Sequence, residues 1–178
     1  MPIIFELTRN QELLQQYYRL REAAFREEIG ISGFDGSEES ADRNGRLLIA
    51  HWKGRCLGGA RISSRKLGSG EYRELELRSM ACCTWERLVL DPEIRTDQLA
   101  RDFCSHLIDV SRVLGYEHAL LVSSLRNARY YRRCHSALGV DFRIHRPAPE
   151  YARGEFAGLE HYLSVSHLAD CEQVRMVA

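Results

Sequence analysis

A chain of 178 residues is enough for one substantial core, with 44% hydrophobic and 28% charged residues, the balance of a globular protein rather than a disordered one. Its formal charge is zero, so no global field draws it to nucleic acid or to an anionic membrane. No apolar run approaches the roughly 18 residues of a spanning helix, and the first residues, MPIIFELTRNQELL, do not read as a signal peptide. The expectation is a soluble, cytoplasmic protein with no membrane insertion and no nucleic-acid partner.

Residues 3–7 read as a short strand, and Arg9 to Ile29 as an amphipathic helix with Leu13, Leu14, Tyr17, Leu20, Ala24 and Phe25 on one stripe and Gly30 as its stop. Residues 30–45 are rich in Gly, Ser and acids without periodicity; they predict a long loop with room for one helical turn. Arg46 to Trp52 and Arg55 to Ser64 form a predicted hairpin about Lys53-Gly54. A polar stretch, Arg65 to Glu74, precedes a strand from about Cys83 to Leu90, broken by Asp91-Pro92. Thr96 to Gly115 reads as a second long helix, Glu117 to Ser124 as an internal strand, and Asn127 to Leu138 as a third helix ended by Gly139. Val140 to Arg146 and Phe156 to Val165 complete the strands. No repeat or linker interrupts residues 1–178, which predicts a single domain.

The cysteines Cys56, Cys82, Cys83, Cys104, Cys134 and Cys171 include no CxxC pair, and free cysteines of this kind are mostly small buried apolar residues. The seven histidines lack metal-site spacing, so no metal is expected.

A three-strand meander followed by βαβ and a terminal strand pair is the element order of the GNAT acyltransferase fold, an α/β fold with a mixed central sheet flanked by helices. Two segments sharpen the resemblance. Tyr18-Arg19-Leu20-Arg21-Glu22-Ala23-Ala24-Phe25, before an acidic loop, resembles the acyl-homoserine-lactone synthases and the related N-acyl amino acid synthases. Trp85 to Arg95 is similar to the strand, turn and helix start where GNAT enzymes hold the acyl donor. The resemblance covers roughly residues 3 to 145.

The resemblance implies an N-acyltransferase with no bound cofactor, taking its acyl group from acyl carrier protein or acyl-CoA as co-substrate. The donor-binding positions it implies are Leu88, Val89, Leu90, Arg95, Gln98, Leu99 and Ala100. Acetyl-CoA-dependent members place a glycine where Gln98 stands, letting backbone N–H groups approach a pyrophosphate. With Gln98 and the anionic Asp97 there, carrier protein is the favoured donor. Arg126, Arg129 and Arg133, at spacings of three and four on the third helix, are candidates for docking an acidic carrier protein, and equally for an ordinary solvated face.

For chemistry, the resembling synthases carry a glutamate base three residues before an arginine on the central strand. Here Thr84 holds that place ahead of Arg87, and Glu86, two residues on and on the same strand face, is the leading base candidate. Arg21, Phe25, Phe34, Glu39, Asp42, Arg61 and Arg87 are the implied substrate-binding residues, with a loop-to-helix salt bridge as the structural alternative for the acids. His135 and Tyr131 are candidate acids for the leaving thiolate. The implied acceptor is the amine of an amino acid or a derivative such as S-adenosylmethionine. The missing loop tryptophan, with Phe34 the nearest aromatic, favours an amino acid. An acetyl-CoA-dependent acetyltransferase and a silent GNAT domain that binds a ligand or partner are the rival readings.

Overall fold

The computed structural model describes residues 2–169. Along the chain run β1 (Ile4–Leu7), α1 (Gln11–Glu27), α2 (Ser40–Asn44), β2 (Arg46–Trp52), β3 (Arg55–Arg65), α3 (Ser69–Glu74), β4 (Cys82–Leu90), α4 (Asp97–Val113), β5 (His118–Ser123), α5 (Leu125–Ala137), β6 (Asp141–Pro147) and β7 (Tyr162–His167). The seven strands hydrogen bond in the order β1-β2-β3-β4-β5-β7-β6. The β4–β5 pairing is parallel, whereas β1–β2, β2–β3, β5–β7 and β6–β7 are antiparallel, so the sheet is mixed as expected.

Local chemistry explains most boundaries. Asn10 caps α1 by accepting from the N–H groups of Glu12 and Leu13, at 3.0 and 3.2 Å. Lys53 and Gly54 both take positive φ (48° and 78°), as a two-residue hairpin turn with the twist of its strands requires. Ser124 caps α5 through the Asn127 N–H, starting that helix two residues before the predicted Asn127. Two expectations need correction. The polar stretch 65–74 contains α3, and Leu75 and Leu77 just beyond it are buried. Phe156 does not begin the last strand; it ends a 3₁₀ turn (Gly154–Phe156), and β7 starts at Tyr162.

The chain gathers into two compact units. The first comprises residues up to 63, 85–103 and 153–158. Its interior holds Leu13, Leu14, Tyr17, Phe34, Leu47, Ile49 and Ile62, all nearly or fully buried. The second comprises residues 64–84, 104–152 and 159–169. On one face of its strands Leu67, Leu75, Leu77, Cys82, Leu120, Leu163 and Val165 cluster with Ala148. Cys56, Cys82, Cys83, Cys104 and Cys134 are buried thiols outside any disulfide; Cys171 lies outside the described residues. Among the described residues no helix is long and apolar enough to cross a membrane.

The second unit also buries imidazoles. His135 is fully buried, and burial pushes its pKa down to about 4. His167 falls to about 4 as well, first through burial, then through His118, with Asp141 opposing and Arg143 and His145 adding to the fall. Both are neutral in the fold at pH 7 but titrate near 6.5 once unfolded, so the unfolded chain gains protons first as the pH drops. Stability should therefore be complete above pH 6.5 and decline between 6.5 and 4, His135 alone contributing a loss of up to about 3 kcal/mol. Urea midpoints measured across that range should fall, and His135→Leu should flatten the slope. A flat profile would contradict this burial.

Candidate functional site

The site grows from one helix face, one loop and two strands of the first unit. Arg21 lies on the buried stripe of α1, an unusual place for a guanidinium, and is 0% exposed. Its Nη1 and Nη2 reach both oxygens of Asp42 at 3.1–3.2 Å, and its remaining donors go to the carbonyls of Gly36 and Ser37. Loop 30–45 passes α1 so closely that a Cβ at Gly36 would stand 2.4 Å from the Glu22 Cβ and 2.6 Å from the Tyr18 carbonyl, so only glycine fits.

Asp42, also 0% exposed, sits in the first turn of α2, where its Oδ2 accepts the backbone N–H of Glu39 in a capping box. Its Oδ1 accepts from Arg61 Nη1 of β3 at 2.9 Å. Arg61 also donates to Glu39 and, through Nε, to Glu86 Oε2 at 2.9 Å. The Ser63 hydroxyl donates to that same oxygen at 3.3 Å. Arg87 binds Glu39 through Nε and Nη2, the closest contact being 2.7 Å, and lies 3.6 Å from Glu155. Burial alone would raise the Glu39 carboxyl; the hydrogen bonds and charges of Arg87 and Arg61 outweigh it and hold the pKa near 2. The Arg61 guanidinium is pushed up, because its acidic partners outweigh its burial.

Aromatic rings enclose the Arg87 end. Phe25 and Phe34 stack at 4.3 Å between centroids, and Phe156 meets both edge-on. The Arg87 guanidinium carbon lies 5.1–5.4 Å from all three ring centroids, within cation–π range.

Glu86 and Arg87 are successive residues of β4, and a pleated strand would send them to opposite faces. Both nevertheless join the same network, through Arg61 and Glu39. Arg87 has φ +54°, a left-handed backbone inside a strand, which breaks the alternation and turns both side chains to one side. For a non-glycine residue that conformation costs about 1–3 kcal/mol and persists only where the surroundings enforce it.

The expected substrate-binding residues Arg21, Phe25, Phe34, Glu39, Asp42, Arg61 and Arg87 are thus brought together, with Glu86 among them. The salt bridge weighed as their structural alternative is present in the same network as Arg21–Asp42. Thr84 ends the parallel β4–β5 ladder, opposite Leu120. Of the donor-segment residues, Val89, Leu90, Leu99 and Ala100 are buried and Leu88 is half-buried. Arg95 pairs with Glu28 at 2.9 Å and Gln98 bonds Asp102 at 2.8 Å. The Thr96 hydroxyl takes the Leu99 N–H at 3.1 Å, so this helix start supplies its own cap.

In the second unit, His135 Nδ1 lies 2.7 Å from the carbonyl of Tyr131 one turn back, and its ring packs on Phe142. A buried neutral imidazole bonded to its own helix is poorly suited to give a proton to a thiolate. Tyr131 is half-buried and its phenol is pushed up by burial and then by Cys104 and Cys134. Arg126, Arg129 and Arg133 are exposed on α5.

Ser63, Glu155, Phe156 and Tyr17 were not anticipated at the site. Tyr17 lay hidden in the apolar stripe of α1, and Phe156 in a supposed strand. Ser63 alternates with Arg61 on β3 and could have been found from that spacing.

Strand order, the helices between strands and the β4–α4 segment define a GNAT acyltransferase fold. No family model matches the chain, and no curated protein does. Solved structures match across nearly its whole length. A CoA-dependent acyl-homoserine lactone synthase, BjaI, solved with SAM and isopentyl-CoA, is 17% identical, with a TM-score of 0.68 over 98% of this chain and 86% of that one. The AHL synthase LasI is 14% identical at 0.66, covering 99% and 95%. A putative acetyltransferase from Salmonella typhimurium, yncA, with its cofactor acetyl-CoA, is 15% identical at 0.66, covering 96% of each.

Removing one partner of the buried pair strands a charge, so Asp42→Ala should lower stability by about 3–5 kcal/mol in urea unfolding. A loss below 1 kcal/mol would mean the pair is not buried as described.

Proposed function

We propose that this chain is an N-acyltransferase that moves a fatty acyl group from a thioester to the amine of an amino acid or amino-acid derivative, with Glu86 as the base. The observation that carries the reading is the setting of Glu86. Its carboxylate is 41% exposed on β4, and both of its contacts, from Arg61 and Ser63, fall on Oε2. Oε1 is therefore the atom that can accept a proton from an incoming ammonium. The freed amine attacks the thioester carbonyl, the C–N bond forms, the C–S bond breaks, and the departing thiolate takes up a proton. Arg87, with 18% of its side chain exposed, and the carboxylates of Glu39 and Glu86 offer both signs of charge in one place, as a zwitterionic acceptor requires.

The donor is an acyl thioester on carrier protein or CoA. The glycine-free turn before α4 and the exposed arginines of α5 support carrier protein. BjaI, of the same fold, is a CoA-dependent acyl-homoserine lactone synthase, which supports CoA as the other donor to test. A catalytically silent domain remains the second reading, favoured by Thr84 at the position of the synthases' glutamate.

The test is steady-state thiol release from octanoyl-carrier protein, octanoyl-CoA and acetyl-CoA with pooled amino acids and S-adenosylmethionine. Glu86→Gln keeps the shape but removes the base, and should lower amine-dependent release at least about 100-fold. Added salt should slow the carrier-protein reaction more than the CoA reaction if Arg126, Arg129 and Arg133 dock the carrier. Near-normal turnover of Glu86→Gln would exclude it as the base. A response to acetyl-CoA alone would favour an ordinary acetyltransferase, and no release from any donor the silent domain.

A further inference from the structure

The left-handed turn at Arg87 needs something to hold it, and the first unit places a buried hydroxyl at its carbonyl. Tyr17, on α1 and fully buried, donates its phenolic hydrogen to the Arg87 carbonyl at 2.7 Å, joining residues 70 apart in sequence. We propose that Tyr17 is a positioning residue for acyl transfer: its hydroxyl latches the β4 backbone in the kinked form that brings Glu86 and Arg87 to one side. The inference rests on the acyl-transfer reading of Glu86 for its consequence in rate, though not for its consequence in backbone geometry.

Three further observations support the latch. Burial pushes the Tyr17 phenol well above its ordinary pKa, so it remains a neutral donor throughout the working range. Its ring is tightly seated: a Cβ at Gly59 of β3 would stand 2.7 Å from Tyr17 Cδ2 and 2.8 Å from Cε2, so glycine leaves the room that the ring fills. On another side the Arg21 guanidinium carbon sits 5.4 Å from the ring centroid. The ring is thereby fixed by Gly59 and by the same arginine that anchors Asp42. Its hydroxyl is thus held against the β4 main chain at the Arg87 carbonyl. If the latch opens, Arg87 is free to return to extended strand geometry, which would turn its side chain away from Glu39 and change the direction in which Glu86 leaves the strand.

The experiment is a double-mutant cycle combined with a backbone measurement. Tyr17→Phe keeps the ring and removes only the donor. It should lower kcat at least about tenfold. In a Glu86→Gln background the same change should cost less than about twofold, since the base whose direction the latch sets is already gone. Independently of activity, the one-bond Cα–Hα coupling of Arg87, which reports positive φ, should move toward the extended-strand value in Tyr17→Phe. A fluorotyrosine at position 17, which keeps the donor, should retain both the coupling and kcat, and this arm decides the matter if Tyr17→Phe does not fold. Equal losses in both backgrounds would mean a packing role and overturn the proposal. So would an unchanged coupling in Tyr17→Phe, or a collapse of kcat with fluorotyrosine. Wild-type protein inert toward every donor and amine would instead sink the acyl-transfer reading, and the coupling alone would then decide the latch.

Discussion

The ion pair between Arg21 and Asp42 is the constraint from which the site is built. Both side chains are withdrawn from water, and desolvating two charges costs more than a simple contact returns unless every remaining donor and acceptor is also satisfied. Here they are met by loop carbonyls, by the Glu39 N–H and by Arg61. An arrangement of this kind specifies one conformation more than it stabilises. It ties loop 30–45 to α1 on one side and to β3 on the other, and so delivers Glu39 to Arg61 and Arg87.

From that anchor outward, exposure rises, to 26% at the Glu39 side chain and 41% at Glu86. Arg61 is 4% exposed and is shared among three carboxylates. Glu39, held ionised by two arginines, acts as a fixed counter-charge rather than a proton acceptor. Glu86 lies at the solvent edge with one oxygen committed and the other uncommitted among the described contacts. In the proposed reaction such a graded network would divide two tasks, Asp42 and Glu39 holding geometry and Glu86 exchanging a proton. The three phenyl rings around Arg87 do a related job, keeping a guanidinium oriented without consuming all its donors.

Much of this architecture was legible in the sequence, for identifiable reasons. The β2–β3 hairpin follows from Lys53-Gly54, and the long helices from their apolar stripes, because these signals are local. The residues of the charge network were legible through family resemblance, though not their pairings, since spacing does not say which carboxylate Arg61 chooses. Helix α3 was missed because its own six residues are polar; the apolar residues that bury the segment, Leu75 and Leu77, follow it. Phe156 was misplaced because an aromatic residue near alternating apolar ones imitates a strand, while Gly154 and Gly158, both at positive φ, turn the chain instead. The kink at Arg87 had no local signal at all. Arginine does not favour positive φ, and the groups that meet Arg87 lie outside the strand, among them a hydroxyl on a helix 70 residues away in sequence.

The proposed reaction forms an amide from a thioester and an amine. The most direct measurement is mass spectrometry of the products formed by the wild-type protein from a deuterium-labelled octanoyl thioester and a pool of amino acids and S-adenosylmethionine. An enzyme-dependent, lipophilic product that carries the labelled acyl group on nitrogen is expected, its mass naming the acceptor. Labelled free octanoic acid as the sole product, or label remaining wholly on the thioester, would contradict it.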